Sequence, residues 1–374
     1  MMAEKYRPRW CFISPFQLRL KRGIESYIWN LALSLSGSGV DVDILTWQGP
    51  LGVPDNITDA GIKVHIVPGV RFYQQYIAVP FYFITLIKGH YDHVFINFAD
   101  YGEGPAIKSA FALLHLQFTI VFHFPYSLVP HRYQGFDRWG LTEKAKYLIA
   151  VSNFVVGEVK VWSGRPCTQI GHGIDTQHFR PNADIKKRIR TKLNIPQNAY
   201  VLTSVAALDE RKGIQWVVRT LPEILSKCPD TYYIIVGEGS YRIELEKLVN
   251  ALNLNGKVFF IGEVLDVVPY LNAADIFMCL ARGEASSIAS LEAAACCLPV
   301  IVSQRPPFDE LIDPSWGLFV DEENICSVEE NTVALLISHE SRLKMGIAAR
   351  QWVITHHNWD NVAMEYRKLI NKLN

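Results

Sequence analysis

The chain has 374 residues, 49% of them hydrophobic and 20% charged, with Lys plus Arg and Asp plus Glu both at 37, so the formal net charge is zero. That length exceeds what one growing hydrophobic core holds and calls for two domains, and the even charge balance is that of a globular protein rather than a nucleic-acid binder. The seven cysteines form no C-x-x-C pair and have no His at zinc-ligand spacing, which argues against a disulfide framework and reads as reduced thiols in the cytosol.

The charged start, Met1 to Arg9, is followed by a β-rich segment without a small-residue cleavage site, so no secretory signal is expected. Trp10 to Ser14 reads as the first strand. From Gly23 the apolar positions Ile24, Tyr27, Ile28, Leu31, Ala32 and Leu35 follow one helical face, which Gly37 and Gly39 end. Val40 to Thr46 is a second strand, and further strands are expected at Lys63 to Val67, His93 to Asn97, Thr119 to His123 and Tyr147 to Val151. Between them, the apolar run Tyr76 to Ile87 suggests a helix; it contains Pro80 and falls well short of the roughly 20 residues that span a bilayer.

The Gly-, Pro- and charge-bearing stretch Gly171 to Arg190 breaks the pattern and is the linker candidate. A second alternation follows, with strands near Tyr200 to Ala206, Tyr232 to Val236, Val258 to Ile261, Ile276 to Leu280, Val300 to Val302 and Leu318 to Val320. The whole is an α/β pattern with parallel sheets, read as two Rossmann-like domains over 1–178 and 179–357. A last helix, about Asp360 to Leu373 within 358–374, could pack back on the first domain or on the second.

In open α/β sheets ligands bind beyond the carboxyl ends of the strands, so the loops there carry the candidates. In Ala281 to Pro299, Glu284 and Glu292 are separated by seven residues at a strand-to-helix junction. If Ser286 or Ser287 caps that helix, its first-turn N–H groups form an anion site suited to phosphate; otherwise the two glutamates are a solvated helix face. Lys212 in D-E-R-K-G could offset a diphosphate, or belong to a solvated turn. His123, in F-H-F-P-Y, is either a satisfied core residue or a strand-end group facing a ligand. Gly237 and Gly239 resemble a dinucleotide fingerprint weakly, because its third glycine is absent. Asp41-Val42-Asp43 has the look of a D-x-D metal site, but its aspartates alternate with apolar residues in a strand and read as that strand's polar face, so no metal is inferred.

Together these elements resemble a family 4 glycosyltransferase of the GT-B fold, over nearly the whole chain and in the right order. R-G-I-E at Arg22 to Glu25 is similar to the family's G-G-x-E loop, with Arg22 and Gly23 on the acceptor side. G-V-D-V-D-I-L-T, A-V-S-N-F, G-H-G-I-D-T-Q-H-F-R-P, Lys212-Gly213, V-G-E-G-S, the E-x7-E helix before L-P-V-I, and Glu310 with Gly317 complete the series. The resemblance implies two domains facing a central cleft, the first binding acceptor and the second a UDP- or GDP-sugar. It implies that Glu284 holds donor-sugar hydroxyls, Glu292 the ribose, Lys212 the diphosphate and His123 the far side of the sugar. Ser286, Ser287, Ile288, Arg211, Gly237 and Val264 would border the nucleotide. The implied reaction retains anomeric configuration, uses neither metal nor cofactor, and takes a glycan, lipid-linked or small-molecule acceptor with no nucleic acid involved.

Four departures stand out: Arg22 takes the place of the first Gly of the family's G-G-x-E loop, and three more follow. The family's Arg five positions before the Lys is Ala207, with Arg211 or Arg282 as possible replacements; E-G-F-G is Glu284-Ala285-Ser286-Ser287; and the Ser three residues before the first Glu is Ala281. They leave as the alternative a glycosyltransferase-like binding or partner subunit without turnover. The basic first 22 residues and the aromatic segment Phe72 to Phe83 are compatible with peripheral contact on an anionic membrane from the cytoplasmic side, or with an aromatic helix packed in a core.

Overall fold

A computed structural model of the chain describes residues 6–14, 23–47, 59–67, 75–98, 116–137 and 140–371. It divides into two compact units, Met1–Gly173 with Trp359–Asn374, and Ile174–Asn358.

The described part of the first unit holds a parallel sheet in the order β3-β2-β1-β4-β5-β6-β7. Its strands are β1 Arg9–Ile13, β2 Asp41–Trp47, β3 Lys63–Val67, β4 His93–Phe98, β5 Phe118–Phe122, β6 Tyr147–Ala150 and β7 Thr168–Gln169. Trp10, Cys11, Phe12 and Ile13 are all buried, as expected for a strand covered on both faces. The helix Gly23–Gly37 turns Ile24, Tyr27, Ile28, Leu31, Ala32 and Leu35 into this core, and Gly39 ends it with a left-handed backbone, φ +90°. The final helix, Trp359–Asn371, belongs to the same unit: Tyr366 and Tyr27 share a hydroxyl–hydroxyl bond of 2.8 Å, and Ser34 Oγ donates to Asp360 at 2.6 Å.

Two sequence expectations change here. The stretch read as linker contains the helix Ala183–Lys192, capped by Asn182, whose side chain accepts from the Ile185 N–H at 3.0 Å. Its charge density conceals that Arg190 is a core residue. This side chain is buried, donates to the Ala273 and Ala199 carbonyls, and pairs with Asp275 at 2.8 Å. The D-V-D segment does lie in a strand, but it is not simply a polar face. Asp41 is exposed while Asp43 is buried, accepting from Arg9 at 2.8 Å and Tyr91 at 2.7 Å and bonded to His65 at 2.8 Å. Burial alone would raise the Asp43 carboxyl; His65, Tyr91 and Arg9 outweigh it and hold the group below its ordinary range.

The second unit has six parallel strands in the order β10-β9-β8-β11-β12-β13, with β8 Tyr200–Val205, β9 Thr231–Val236, β10 Val258–Gly262, β11 Ile276–Cys279, β12 Val300–Ser303 and β13 Gly317–Val320. Alternate residues feed two cores: Val201, Ile234, Val236 and Phe277 pack on one face, Leu202, Tyr233, Ile235 and Met278 on the other. Both sheets reverse their winding once, between β1 and β4 and between β8 and β11. In doubly wound sheets the crevice outside such a reversal is where ligands bind.

Candidate functional site

In the second unit the two loops that leave the reversal carry Lys212 and Glu284. After β8 the chain makes a tight turn, Glu210–Lys212, capped by Asp209, whose side chain accepts from the Arg211 N–H at 3.0 Å. Gly213 follows with φ +72°, and a Cβ there would lie 1.7 Å from the Leu280 carbonyl oxygen. Only glycine lets the next helix, Ile214–Lys227, start this close to the end of β11. The Arg282 N–H donates to the Arg211 carbonyl at 2.8 Å, which ties the two loops together.

Across this tie Lys212 Nζ donates to Glu284 Oε1 at 2.6 Å, with both side chains less than a fifth exposed, at 19% and 17%. Burial alone would lower the Lys212 ammonium, but Glu284, helped by Cys279 and Asp209, holds it above its ordinary value. Lys212 is therefore held as a cation rather than solvated, while Glu210 and Arg211 of the same turn are exposed.

The helix Ile288–Ala295 begins beside this pair. Ser287 occupies its N-cap position, but in a left-handed conformation (φ 31°, ψ 58°), and its hydroxyl bonds Ser290 Oγ at 2.7 Å and lies 3.7 Å from Cys279 Sγ. The expected side-chain cap is thus not formed by Ser287, because its backbone turns the hydroxyl along the helix flank. Ser286 is buried, and Ile288 packs against the core. Glu292 sits one turn further, roughly 6 Å along the axis from Ile288 at 1.5 Å per residue. Burial, then the negative charge of Asp266, pushes its carboxyl up to about 8. Asp266 itself accepts from the Val268 N–H at 3.1 Å and bonds His178 Nε2 at 3.1 Å.

The two arginines considered as replacements for the family cation are both engaged. Arg211 pairs with Asp209 at 3.1 Å. Arg282 pairs with the buried Glu322 at 3.3 Å and with Glu323, and stands 4.9 Å over the Trp216 ring. Ala207 is exposed. Gly237, with φ +136°, answers a packing need, since a Cβ there would meet the Ala206 carbonyl oxygen at 1.9 Å. Val264 follows β10 and packs half-buried against the core.

In the first unit His123 directly follows β5 and is 5% exposed. Its Nε2 bonds Asn97 Oδ1 at 3.0 Å, and Tyr27 meets the ring edge-on at 4.9 Å. Burial pushes the imidazole down to about 3, so it is neutral at ordinary pH. Tyr27 lies one turn inside the helix that Gly23 opens, which brings the start of that helix close to His123. Arg22 lies outside the described residues. Asn97 was not singled out from sequence, although the rule that selected His123, a polar residue closing an apolar strand, applies equally to H-V-F-I-N-F.

Of the aromatic segment, Phe72 and Tyr73 lie outside the described residues. The helix Gln75–Gly89 buries Leu86 but exposes Phe81, Ile84 and Ile87, so it is not wholly a core helix. Among the described residues no helix is long and apolar enough to cross a membrane, and no group of three or more His, Cys, Asp or Glu converges as a metal site.

The chain is similar to known glycosyltransferases across both units. The model of Glycosyltransferase Family 4 matches residues 21–178 and that of Glycosyl transferases group 1 matches residues 185–352. The chain is 28% identical over 245 residues to the GDP-mannose-dependent monoacylated alpha-(1-6)-phosphatidylinositol monomannoside mannosyltransferase of Corynebacterium glutamicum, covering 63% of this chain and 64% of that one. It is 30% identical over 197 residues to the GDP-mannose-dependent alpha-(1-6)-phosphatidylinositol monomannoside mannosyltransferase of Mycolicibacterium smegmatis, covering 50% and 51%. The alignments thus span between half and two thirds of these relatives. Among solved structures, sucrose-phosphate synthase from Thermosynechococcus elongatus superposes with a TM-score of 0.82 at 20% identity, over 98% of this chain and 99% of that one. HepE of Anabaena in complex with UDP and glucose gives 0.80 at 16%, over 97% and 99%. Those likenesses show the two-domain α/β architecture of GT-B glycosyltransferases, and with the two family matches the chain belongs to glycosyltransferase family 4.

Proposed function

We propose that this glycosyltransferase moves a hexose from a UDP- or GDP-sugar to a glycan, lipid-linked or small-molecule acceptor with retention of configuration and without a metal. The observation that carries the reading is the fixed, charged Lys212 held against Glu284 at the β8/β11 reversal, beside the start of the helix that bears Glu292. As the bond from the sugar to the diphosphate loosens, negative charge grows on the leaving phosphate and positive charge on the sugar. Lys212 and the first-turn N–H groups of the helix Ile288–Ala295 stabilise the former, already in place when the charge develops. Glu284 is released from Lys212 to receive sugar hydroxyls, and Glu292 receives those of the ribose. His123 and the start of the helix Gly23–Gly37 serve the sugar and acceptor side.

The names of the Corynebacterium and Mycolicibacterium relatives make GDP-mannose the first donor to test, and their phosphatidylinositol acceptors favour a lipid-linked one here. The exposed Phe81, Ile84 and Ile87 with Lys88 at the helix end support peripheral contact with an anionic membrane, and the free thiols support a cytoplasmic setting. The second reading, a binding subunit without turnover, is favoured by one observation: Ala207 leaves a cation missing and both neighbouring arginines are paired elsewhere. Donor hydrolysis and transfer assays across GDP-mannose and UDP-sugars separate the two. Proton NMR of the product, with and without EDTA, tests retention and metal independence, and an inverted linkage or a strict Mn²⁺ requirement would overturn them.

A further inference from the structure

Asn97 lies near the end of β4, beside β1, where the first sheet reverses. It is 2% exposed, and its two ends face different partners. Nδ2 donates to the Ile13 carbonyl at 3.2 Å, while Oδ1 lies 3.0 Å from His123 Nε2. A backbone carbonyl can only accept, so the amide NH2 must face Ile13 and the amide oxygen must face the histidine. That oxygen also only accepts, so the proton of a neutral ring sits on Nε2. Nδ1 is then a bare lone pair, and it has no hydrogen-bond partner among the described residues. Buried polar atoms are rarely left so unless something else supplies the partner.

We infer that Asn97 is a positioning residue that locks His123 in the Nε2–H tautomer, so that Nδ1 is presented as an acceptor for a substrate hydroxyl. The use of that lone pair rests on the assignment of His123 to the sugar. At Nδ1 the locked ring receives a hydrogen bond and gives none, which selects a hydroxyl over a group that only accepts, such as a phosphate oxygen or an ether. With the other tautomer, two lone pairs would face each other across the Asn97–His123 contact. Edge-on packing by Tyr27 keeps the ring in place, and the depressed imidazole keeps it neutral.

The test reads the tautomer directly. In the 15N-labelled full chain, nitrogen–proton correlations of the imidazoles, assigned by loss of signals in His123→Ala, should show Nε2 protonated and Nδ1 bare at neutral pH. Asn97→Leu should release the lock into a mixture of tautomers and lower kcat/KM by the fraction of rings lost to the Nδ1–H form, about twofold for an even mixture. In the His123→Ala background the same substitution should lower kcat/KM no further, because its effect passes through the ring. A wild-type ring protonated on Nδ1 would overturn the lock whether or not Asn97→Leu folds. Additive losses in the double variant would make Asn97 merely structural and overturn its positioning role. Absence of any transferase activity would instead sink the proposed function, while the wild-type spectrum would still decide the tautomer.

Discussion

The two sheets reverse at equivalent places, and the crevices they create are chemically unlike. Beyond β8 and β11 the chain carries an ammonium and a carboxylate in contact, a helix start and a second carboxyl pushed up by burial. At the ends of β1, β4 and β5, Asn97, His123 and Tyr27 form a cluster of neutral groups joined by ordinary hydrogen bonds and ring contacts, with Glu25 buried in the first turn of the helix that bears Tyr27. One topology thus supplies a place, and the side chains placed there decide what it can stabilise. A site built from fixed charge suits a step in which charge develops; a site built from neutral donors and acceptors suits recognition of hydroxyls.

Removing the charge should therefore hurt most. Lys212→Ala is expected to lower kcat by roughly 10²- to 10³-fold, the usual loss for one preorganised group at a developing oxyanion, while nucleotide affinity changes less. Equal transfer by this variant and the wild type would erase the contrast between the two crevices. Lys212→Arg is not a safe rescue, because the planar guanidinium differs from a point ammonium in reach and geometry.

Glu292 sharpens the contrast through pH. Its carboxyl, ordinarily near 4.5, is pushed up to about 8 in the folded chain. Between those values the unfolded chain ionises and the folded one does not, so this group weakens folding as pH rises through that window and adds nothing further above it. If Glu292 receives the ribose as proposed, hydroxyls donating to the carboxylate favour its ionised form, so nucleotide binding below pH 8 should release a proton and tighten as pH rises to 8. Titration calorimetry at pH 7 in buffers of different ionisation enthalpy measures that proton, and its absence would remove Glu292 from the ribose. Glu292→Gln should raise thermal stability at pH 7 and weaken nucleotide binding roughly 10- to 100-fold, the range for a charged hydrogen bond.

The neutral crevice should respond more gently. His123→Ala is expected to lower kcat/KM about tenfold, consistent with one lost hydrogen bond. With the imidazole already at about 3, the wild-type profile between pH 6 and 9 should show no limb from this residue. A limb there that His123→Ala abolishes would mean the ring titrates in the working range and is less enclosed than its burial indicates.

How far these features were legible in the sequence depended on whether a signal was local. Among the described residues, strand periodicity located all but one of the strands, because apolar runs report burial directly; Thr168–Gln169, two exposed residues, carries no such pattern. Lys212, Glu284 and Glu292 were legible as strand-end and helix positions. Their states were not: the Lys212–Glu284 contact joins residues 72 apart, and the raised Glu292 carboxyl depends on burial and on Asp266, which a different loop supplies. Arg190 looked like the end of a charge-bearing linker because Asp275 and the carbonyls that satisfy it are supplied from elsewhere in the chain. The Ser287 cap failed for a backbone reason, a left-handed conformation that no residue type in E-A-S-S announces.

The smallest expected effect concerns Ala207, where the family pattern has an arginine. Both candidate substitutes are engaged with carboxylates, Arg211 with Asp209 and Arg282 with Glu322 and Glu323, which under the proposed mechanism leaves Lys212 as the principal side-chain cation at the diphosphate. Ala207 is exposed in a loop, and Ala207→Arg should change folding stability by no more than about 0.5 kcal/mol, as surface substitutions usually do. A guanidinium there adds a charge-assisted partner for the diphosphate, with a gain in kcat/KM of about fivefold at low salt, near 1 kcal/mol. Because the position is open to solvent, the gain should shrink as ionic strength rises toward physiological levels, where charges about 8 Å apart are already screened. A gain that persists in high salt would mean that the arginine closes into a buried pair with the phosphate. If transfer and its salt dependence both stay as in the wild type, the charged crevice already holds all the positive charge its reaction uses, and the departure at 207 is a substitution this site tolerates without loss.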